Sequence, residues 1–184
     1  MLVALCLLPA ARSQAAVISQ LEVSQHGNRY RATAIAQLCV TPAQAYAALL
    51  DFADFPRMNP AIRKAVVIRS LSPDSQLVYM ETRACIGLFC RTLKQVQQFT
   101  ELSASDLVAV TLPERSNVKQ SSSSWHLEAN AAGTRVYWRT SLEPAFWVPP
   151  LIGPRLVRAV LLQQGRAFMT GIERLNGRLP CPAN

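Results

Sequence analysis

The sequence predicts an α+β domain in which an antiparallel sheet of about seven strands packs against one long C-terminal helix. Three observations carry that expectation. Residues Thr41 to Pro60 join a helix start to a helix stop. Strand-like runs separated by short turns fill the chain from Lys64 to Leu142. From Pro154 to Leu175, apolar residues recur at spacings of three, four and seven, the pattern of a helix buried along one stripe. At 184 residues, half of them apolar, the chain suits a single domain with a substantial core.

Taken in order, Met1 to Ala15 is apolar from Leu2 to Leu8 and ends in the small-residue run Ser13-Gln14-Ala15-Ala16, which reads as a secretory leader with its cleavage site. Residues 16–184 then form the domain, and the chain is expected to be exported, to a periplasm or a comparable envelope space. No Lys or Arg precedes the apolar run, as for a start placed inside a longer leader. The alternative is a short membrane-lying or buried helix. A lipidated Cys6 is disfavoured because Leu5 stands where a small residue is needed.

Ile18 to Val40 reads as two strands broken at His26-Gly27-Asn28, where Gly27 and Asn28 tolerate positive φ. Tyr30, Ala32, Ala34, Ala36 and Leu38 share one face of the second strand, and the alanines leave room for either a packed helix or a ligand. Thr41 caps the next helix, Pro42 fits its first turn, and Pro56 and Pro60 end the helical run. Strands are expected at Lys64 to Leu71, Gln76 to Ala84, Cys90 to Glu101, Asp106 to Leu112, Lys119 to Asn130 and Thr134 to Leu142. Short turns between them imply an antiparallel meander. Ser121 to Ser124 runs into the alternating Trp125, Leu127 and Ala129, so it reads as the edge of a strand.

Leu50-Asp51-Phe52, Phe55-Pro56 and Asn59-Pro60 resemble the first helix and following turn of the START-like superfamily, which includes polyketide cyclases and coenzyme Q-binding proteins. The resemblance runs over residues 28 to 177 in element order. It implies a helix-grip: a curved sheet wrapping the terminal helix around an apolar cavity that holds a lipid, sterol, quinone or polyketide. It also places the end of the last helix near the start of the first, so that Cys39 and Cys181 would be bridged there. Cys85 and Cys90 flank a short turn between two strand-like runs and are expected to form a disulfide across a hairpin. An even set of four cysteines in the mature chain suits an oxidising compartment.

The last helix carries Val157, Val160, Leu161, Phe168, Ile172 and Leu175 on its stripe, with Arg155, Arg166 and Glu173 opposite. Gln164 and Gly171 interrupt the stripe, either because that face borders a cavity or because Gln164 bonds backbone and Gly171 admits a strand. Before the helix, Glu143 to Pro154 combines four prolines with Phe146, Trp147, Val148, Leu151 and Ile152. The resemblance puts this connection at the cavity mouth, as a stiffened lip that guards ligand access or touches a membrane; closing the bottom of the core is the alternative. The expected ligand-binding residues are Phe146, Trp147, Ile152, Val157, Leu161, Gln164, Phe168 and Gly171.

Known catalytic motifs and metal-ligand spacings are missing, so neither a metal nor a cofactor is expected. His126 points to solvent beside Glu128, and Asp51 and Asp54 serve the turn, Asp51 by bonding amides near Pro56. Tyr79, Arg83, Tyr137 and Arg139 share alternating positions, on either the ligand-facing or the solvated side. The net charge of +8 is scattered, with no basic run interleaved with aromatics, which excludes a nucleic-acid site and leaves loose attraction to anionic lipid headgroups. The leading reading is an exported carrier of a hydrophobic small molecule, with possible contact to a membrane surface. Its rivals are a polyketide cyclase or dehydratase, which needs titratable groups inside the cavity, and an envelope interaction module, which needs a filled interior.

Overall fold

The computed structural model describes residues 17–86, 88–149 and 153–177. Ile152 and Cys181, both singled out above, lie outside them. Eight strands form one antiparallel sheet: β1 (Val17–His26), β2 (Arg29–Leu38), β3 (Ile62–Ser72), β4 (Ser75–Ile86), β5 (Phe89–Glu101), β6 (Asp106–Thr111), β7 (Val118–Asn130) and β8 (Gly133–Pro144). Two short helices, α1 (Pro42–Leu50) and α2 (Phe55–Met58), connect β2 to β3, and α3 (Pro154–Asn176) follows β8.

The spatial order is β1-β2-β8-β7-β6-β5-β4-β3. Strands β3 to β8 are the expected meander. The first hairpin joins it at the far end, through β2 and β8, because the helical crossover carries the chain from one side of the sheet to the other. Gly27 turns β1 into β2 at φ +57°, and no described non-glycine residue, Asn28 included, takes a positive φ. Register shifts at Ile18/Gln20, Ile62/Lys64, Val67/Arg69 and Val118/Gln120 increase local twist and help bend the sheet. The serines expected in a strand lie in β7, which runs between β6 and β8 inside the sheet.

Thr41 caps α1 in a reciprocal box: Gln44 N donates to Thr41 Oγ1 at 3.2 Å, and Thr41 N donates to Gln44 Oε1 at 3.0 Å. Pro56 does not end this run. It sits in the first turn of α2, which its fixed φ suits, and Asn59 ends that helix before Pro60. Asp51 makes no side-chain cap; its carbonyl accepts from Asp54 N at 3.1 Å, while Asp54 pairs with Arg57. The Tyr46 hydroxyl ties α1 to the end of β5 by donating to Glu101 and to the Ser103 carbonyl. Burial first, and Glu101 second, push its phenol up to about 12.

Burial along α3 is uneven. Its C-terminal half buries Met169, Gly171, Ile172 and Glu173 against the core, whereas Pro154 to Phe168 stay partly exposed. Two corrections follow. Gly171 lines neither of the two cavities beneath the sheet, and the backbone that approaches it is that of α2, not of a strand. A Cβ there would meet the Met58 Cα and lie 2.5 Å from the Met58 carbonyl oxygen. Glu173, expected on the solvated side, is fully buried and accepts the Cys39 N–H at 2.9 Å. Buried main-chain donors need such partners, and the fold brings Cys39 to the helix end.

Cys85 and Cys90 are bridged across the β4–β5 turn, with their Cα atoms 4.1 Å apart. Cys39 is also disulfide-bonded.

Candidate ligand cavity

Strand alternation decides which side chains enter the concave side of the sheet. β2 contributes Tyr30, Ala32, Ala34 and Ala36; β5 contributes Leu93, Gln95, Gln97 and Phe99; β7 contributes Ser121, Ser123 and Trp125; β8 contributes Val136, Trp138, Thr140 and Leu142. Small residues on β2 and β7 leave volume that α3, pinned by its C-terminal half, does not fill with its N-terminal half. The alanines therefore serve both expected purposes: Leu21, Ala32 and Ala34 pack with Leu161, Leu162 and Trp138, and the same three line the hollow.

The hollow consists of an upper cavity of about 340 Å³ and a lower one of about 250 Å³. They share Asn59, Ile62, Gln97, Ser123, Trp138, Leu161 and Gln164 as lining, so they meet along a common wall of side chains. The upper cavity is bounded by Phe89, Phe146, Val148, Val157 and Val160, and the lower by Met80, Phe99, Trp125, Phe168 and Met169. A hollow of this size and apolarity matches those that bury small organic ligands.

Of the expected ligand residues, the fold brings together Phe146, Val157, Leu161, Gln164 and Phe168. Phe168 also meets Phe55 edge-on, with ring centroids 5.1 Å apart. Trp147 is a correction: at 70 % exposure it does not line the cavity, while its neighbours Phe146 and Val148 do. The sequence reading missed Asn59, Gln95, Gln97, Ser123 and Trp138. For Gln95 and Gln97 the signal was their place at alternate positions of β5 between Leu93 and Phe99; Asn59, Ser123 and Trp138 carried none.

Titratable groups are sparse in the lining. Among the described residues, no carboxylate, histidine, lysine or thiol lines either cavity. Tyr30 does, and burial pushes its phenol up, so it stays a neutral hydroxyl. Arg31, Arg83 and Arg91 are exposed and border the upper cavity at its rim. The Arg91 guanidinium lies over the Phe89 ring, 4.8 Å from its centroid. Tyr79, Tyr137 and Arg139 fall on the convex side, where Tyr79 donates to Glu81 and the other two flank His126.

His126 is half-exposed but not free in solvent. Its Nδ1 lies 2.7 Å from Asp106 Oδ1 and its Nε2 lies 3.3 Å from Glu128 Oε1. Asp106 also accepts from Ser103 and Ser105, and these hydroxyls, with His126, hold its carboxyl down to about 2. The hydrogen bond to Asp106 is the main cause that raises the His126 pKa. With the folded pKa above the unfolded one, the histidine stabilises the β6–β7 pair fully below its unfolded pKa and loses that contribution as pH rises through the folded value. Asp106 contributes above its ordinary value of 3.8 and loses that contribution only as pH falls toward about 2. The melting temperature is therefore expected to fall modestly from pH 6 to pH 8, and His126→Gln to flatten that slope. An unchanged slope in the variant would assign the dependence elsewhere.

A family profile described as polyketide cyclase / dehydrase and lipid transport matches residues 30–179. The chain belongs to this family. Solved structures agree on the fold. A STAR-related lipid transfer protein from Xanthomonas axonopodis superposes with a TM-score of 0.65 at 13 % identity, covering 83 % of this chain and 98 % of that one. A START superfamily protein from Mycobacterium smegmatis gives 0.65 at 11 % identity, covering 79 % and 98 %. An aromatase/cyclase from Streptomyces sp. R1128 gives 0.63 at 12 % identity, covering 81 % and 97 %. No curated protein matches the sequence. The helix-grip expected from Leu50 to Pro60 is the fold found, with eight strands where about seven were expected.

Proposed function

We propose that the protein is exported and carries a hydrophobic small molecule, of lipid, quinone or polyketide-like class, without transforming it. One observation carries this reading: the two apolar cavities abut, and their described lining offers a neutral phenol and rim arginines but no group suited to acid–base work at neutral pH. Affinity then comes from burying ligand surface, at about 25 cal/mol for each Å². A cyclase or dehydratase would need a proton-transferring group near the reacting carbons, and an interaction module would need a filled interior. The bonded states of Cys39, Cys85 and Cys90 support an oxidising compartment. Native mass spectrometry of the protein recovered from its own envelope, followed by organic extraction, tests the reading. A co-purifying hydrophobic species is expected; an empty protein that converts a polyketide-like substrate would overturn it.

The rim supports docking on a membrane. Leu88, at the tip of the β4–β5 turn, and Trp147 are strongly exposed beside cavity-lining Phe89, Phe146 and Val148, with Arg83 and Arg91 next to them. Exposed apolar tips among cations suit an anionic bilayer surface. Trp147→Ser is expected to weaken binding to phosphatidylcholine/phosphatidylglycerol vesicles about tenfold. Unchanged vesicle binding would remove the docking role.

A further inference from the structure

The lower part of the hollow is lined by apolar side chains apart from the wall it shares with the upper part, the upper part is mostly apolar with Tyr30, Thr82, Gln95, Ser121 and Thr140 among its lining, and the shared wall carries the polar side chains of Asn59, Gln97, Ser123 and Gln164. Gln164 of α3 and Gln97 of β5 line both cavities. Gln97 Nε2 donates to Thr111 Oγ1 at 3.1 Å and Gln95 Nε2 donates to the same oxygen at 3.2 Å, so both glutamines keep a carbonyl oxygen free of protein donors among the described residues. The Gln164 side-chain amide has no hydrogen-bond partner among the described residues. Its main-chain carbonyl is a separate matter and accepts from Asn59 Nδ2 at 3.2 Å. Among the described residues, Arg29 Nε is the fully buried side-chain atom without a partner, so these glutamine groups are not sealed by protein and meet the open space of the hollow.

An apolar chain filling both cavities would strip water from this waist and leave the amides unpaired, which costs affinity unless the ligand supplies a partner. No charged side chain among the described residues lines the shared wall, so a charged partner would be buried without compensation. Resting on the carrier reading above, we propose that the waist selects elongated ligands with an uncharged hydrogen-bonding group near mid-length. A carbonyl or ester group would accept from the Gln164 side-chain N–H, and an amide or hydroxyl group could in addition donate to a glutamine carbonyl oxygen, with apolar arms extending toward Val157 on one side and Phe168 on the other.

Three probes of equal carbon count separate this idea from simple hydrophobic capture: dihexyl ketone, its positional isomer methyl undecyl ketone, and tridecane. Binding is read from the fluorescence of Trp138 and Trp125, which line the hollow. Dihexyl ketone is expected to bind about tenfold more tightly than methyl undecyl ketone, since the isomers bury the same surface and differ in where the carbonyl falls. Gln164→Leu, which breaks no described side-chain hydrogen bond, is expected to erase that gap and to tighten tridecane about threefold. Equal affinities for the two ketones in the parent protein, or a gap that survives in Q164L, would overturn the inference and leave the carrier reading standing. Failure of all three probes to bind would overturn both.

Discussion

Gly171→Ala is expected to destabilise the protein by about 2 kcal/mol, a fall in melting temperature of about 5 °C for a chain of this size. An exposed helical glycine gains up to about 1 kcal/mol on replacement by alanine, so the sign here is informative. The new methyl would sit 2.5 Å from the Met58 carbonyl oxygen and 2.8 Å from its carbon. Both are backbone atoms of α2 and cannot rotate aside, so α3 must move off the turn that anchors it. Gly165→Ala is the matched control. Its methyl would meet only the tip of Ile18, Cδ1 at 2.9 Å, which can swing away. Its expected effect is neutral or slightly stabilising. Thermal and urea denaturation of both variants check the contrast, and equal effects would show that α2 does not hold α3 in place.

Leu161→Trp is expected to weaken ligand binding about a hundredfold, equivalent to about 2.7 kcal/mol, while the fold persists. Leu161 is a partly buried residue on the wall shared by the two cavities, so an indole there takes up space at the junction and does not wedge apart a filled core. Titration of the hydrophobic species recovered from the native protein reads the effect, and circular dichroism reports the fold. Retained affinity in a folded L161W would mean that the ligand occupies one cavity alone or lies elsewhere.

Much of this architecture was legible along the chain because its rules are local. The alternation of Tyr30 through Leu38 marked one buried face, and Thr41-Pro42 marked a helix start. Cys85 and Cys90 faced each other because a hairpin pairs its flanking residues. Gln164 stood out as an amide on an apolar stripe, and it does face the hollow. The same periodic rule failed nearby. It put Glu173 in water, but the carboxylate meets the Cys39 amide, whose chain position is 134 residues away. It treated Gly171 as a gap in a cavity wall, when the gap is filled by Met58 backbone. It grouped Trp147 with Phe146 by composition, although Phe146 lines the hollow and Trp147 is exposed. Gln95, Gln97 and Ser123 went unread because alternation separates two faces without saying which is concave.

By itself the sequence determined the elements, their antiparallel succession and the amphipathic terminal helix, all of which follow from side-chain periodicity and turn chemistry over a few residues. Tertiary structure decided that β2 closes on β8, that the far half of α3 is clamped by α2 and Glu173 while its near half rests on β1 and β2 without filling the concave side, and hence that a hollow with polar groups on its shared wall exists. The reason is that a cavity is volume left over after distant segments have packed. Its size, its lining and the fate of each polar group within it depend on close approaches, such as Gly171 to Met58, that no local pattern encodes.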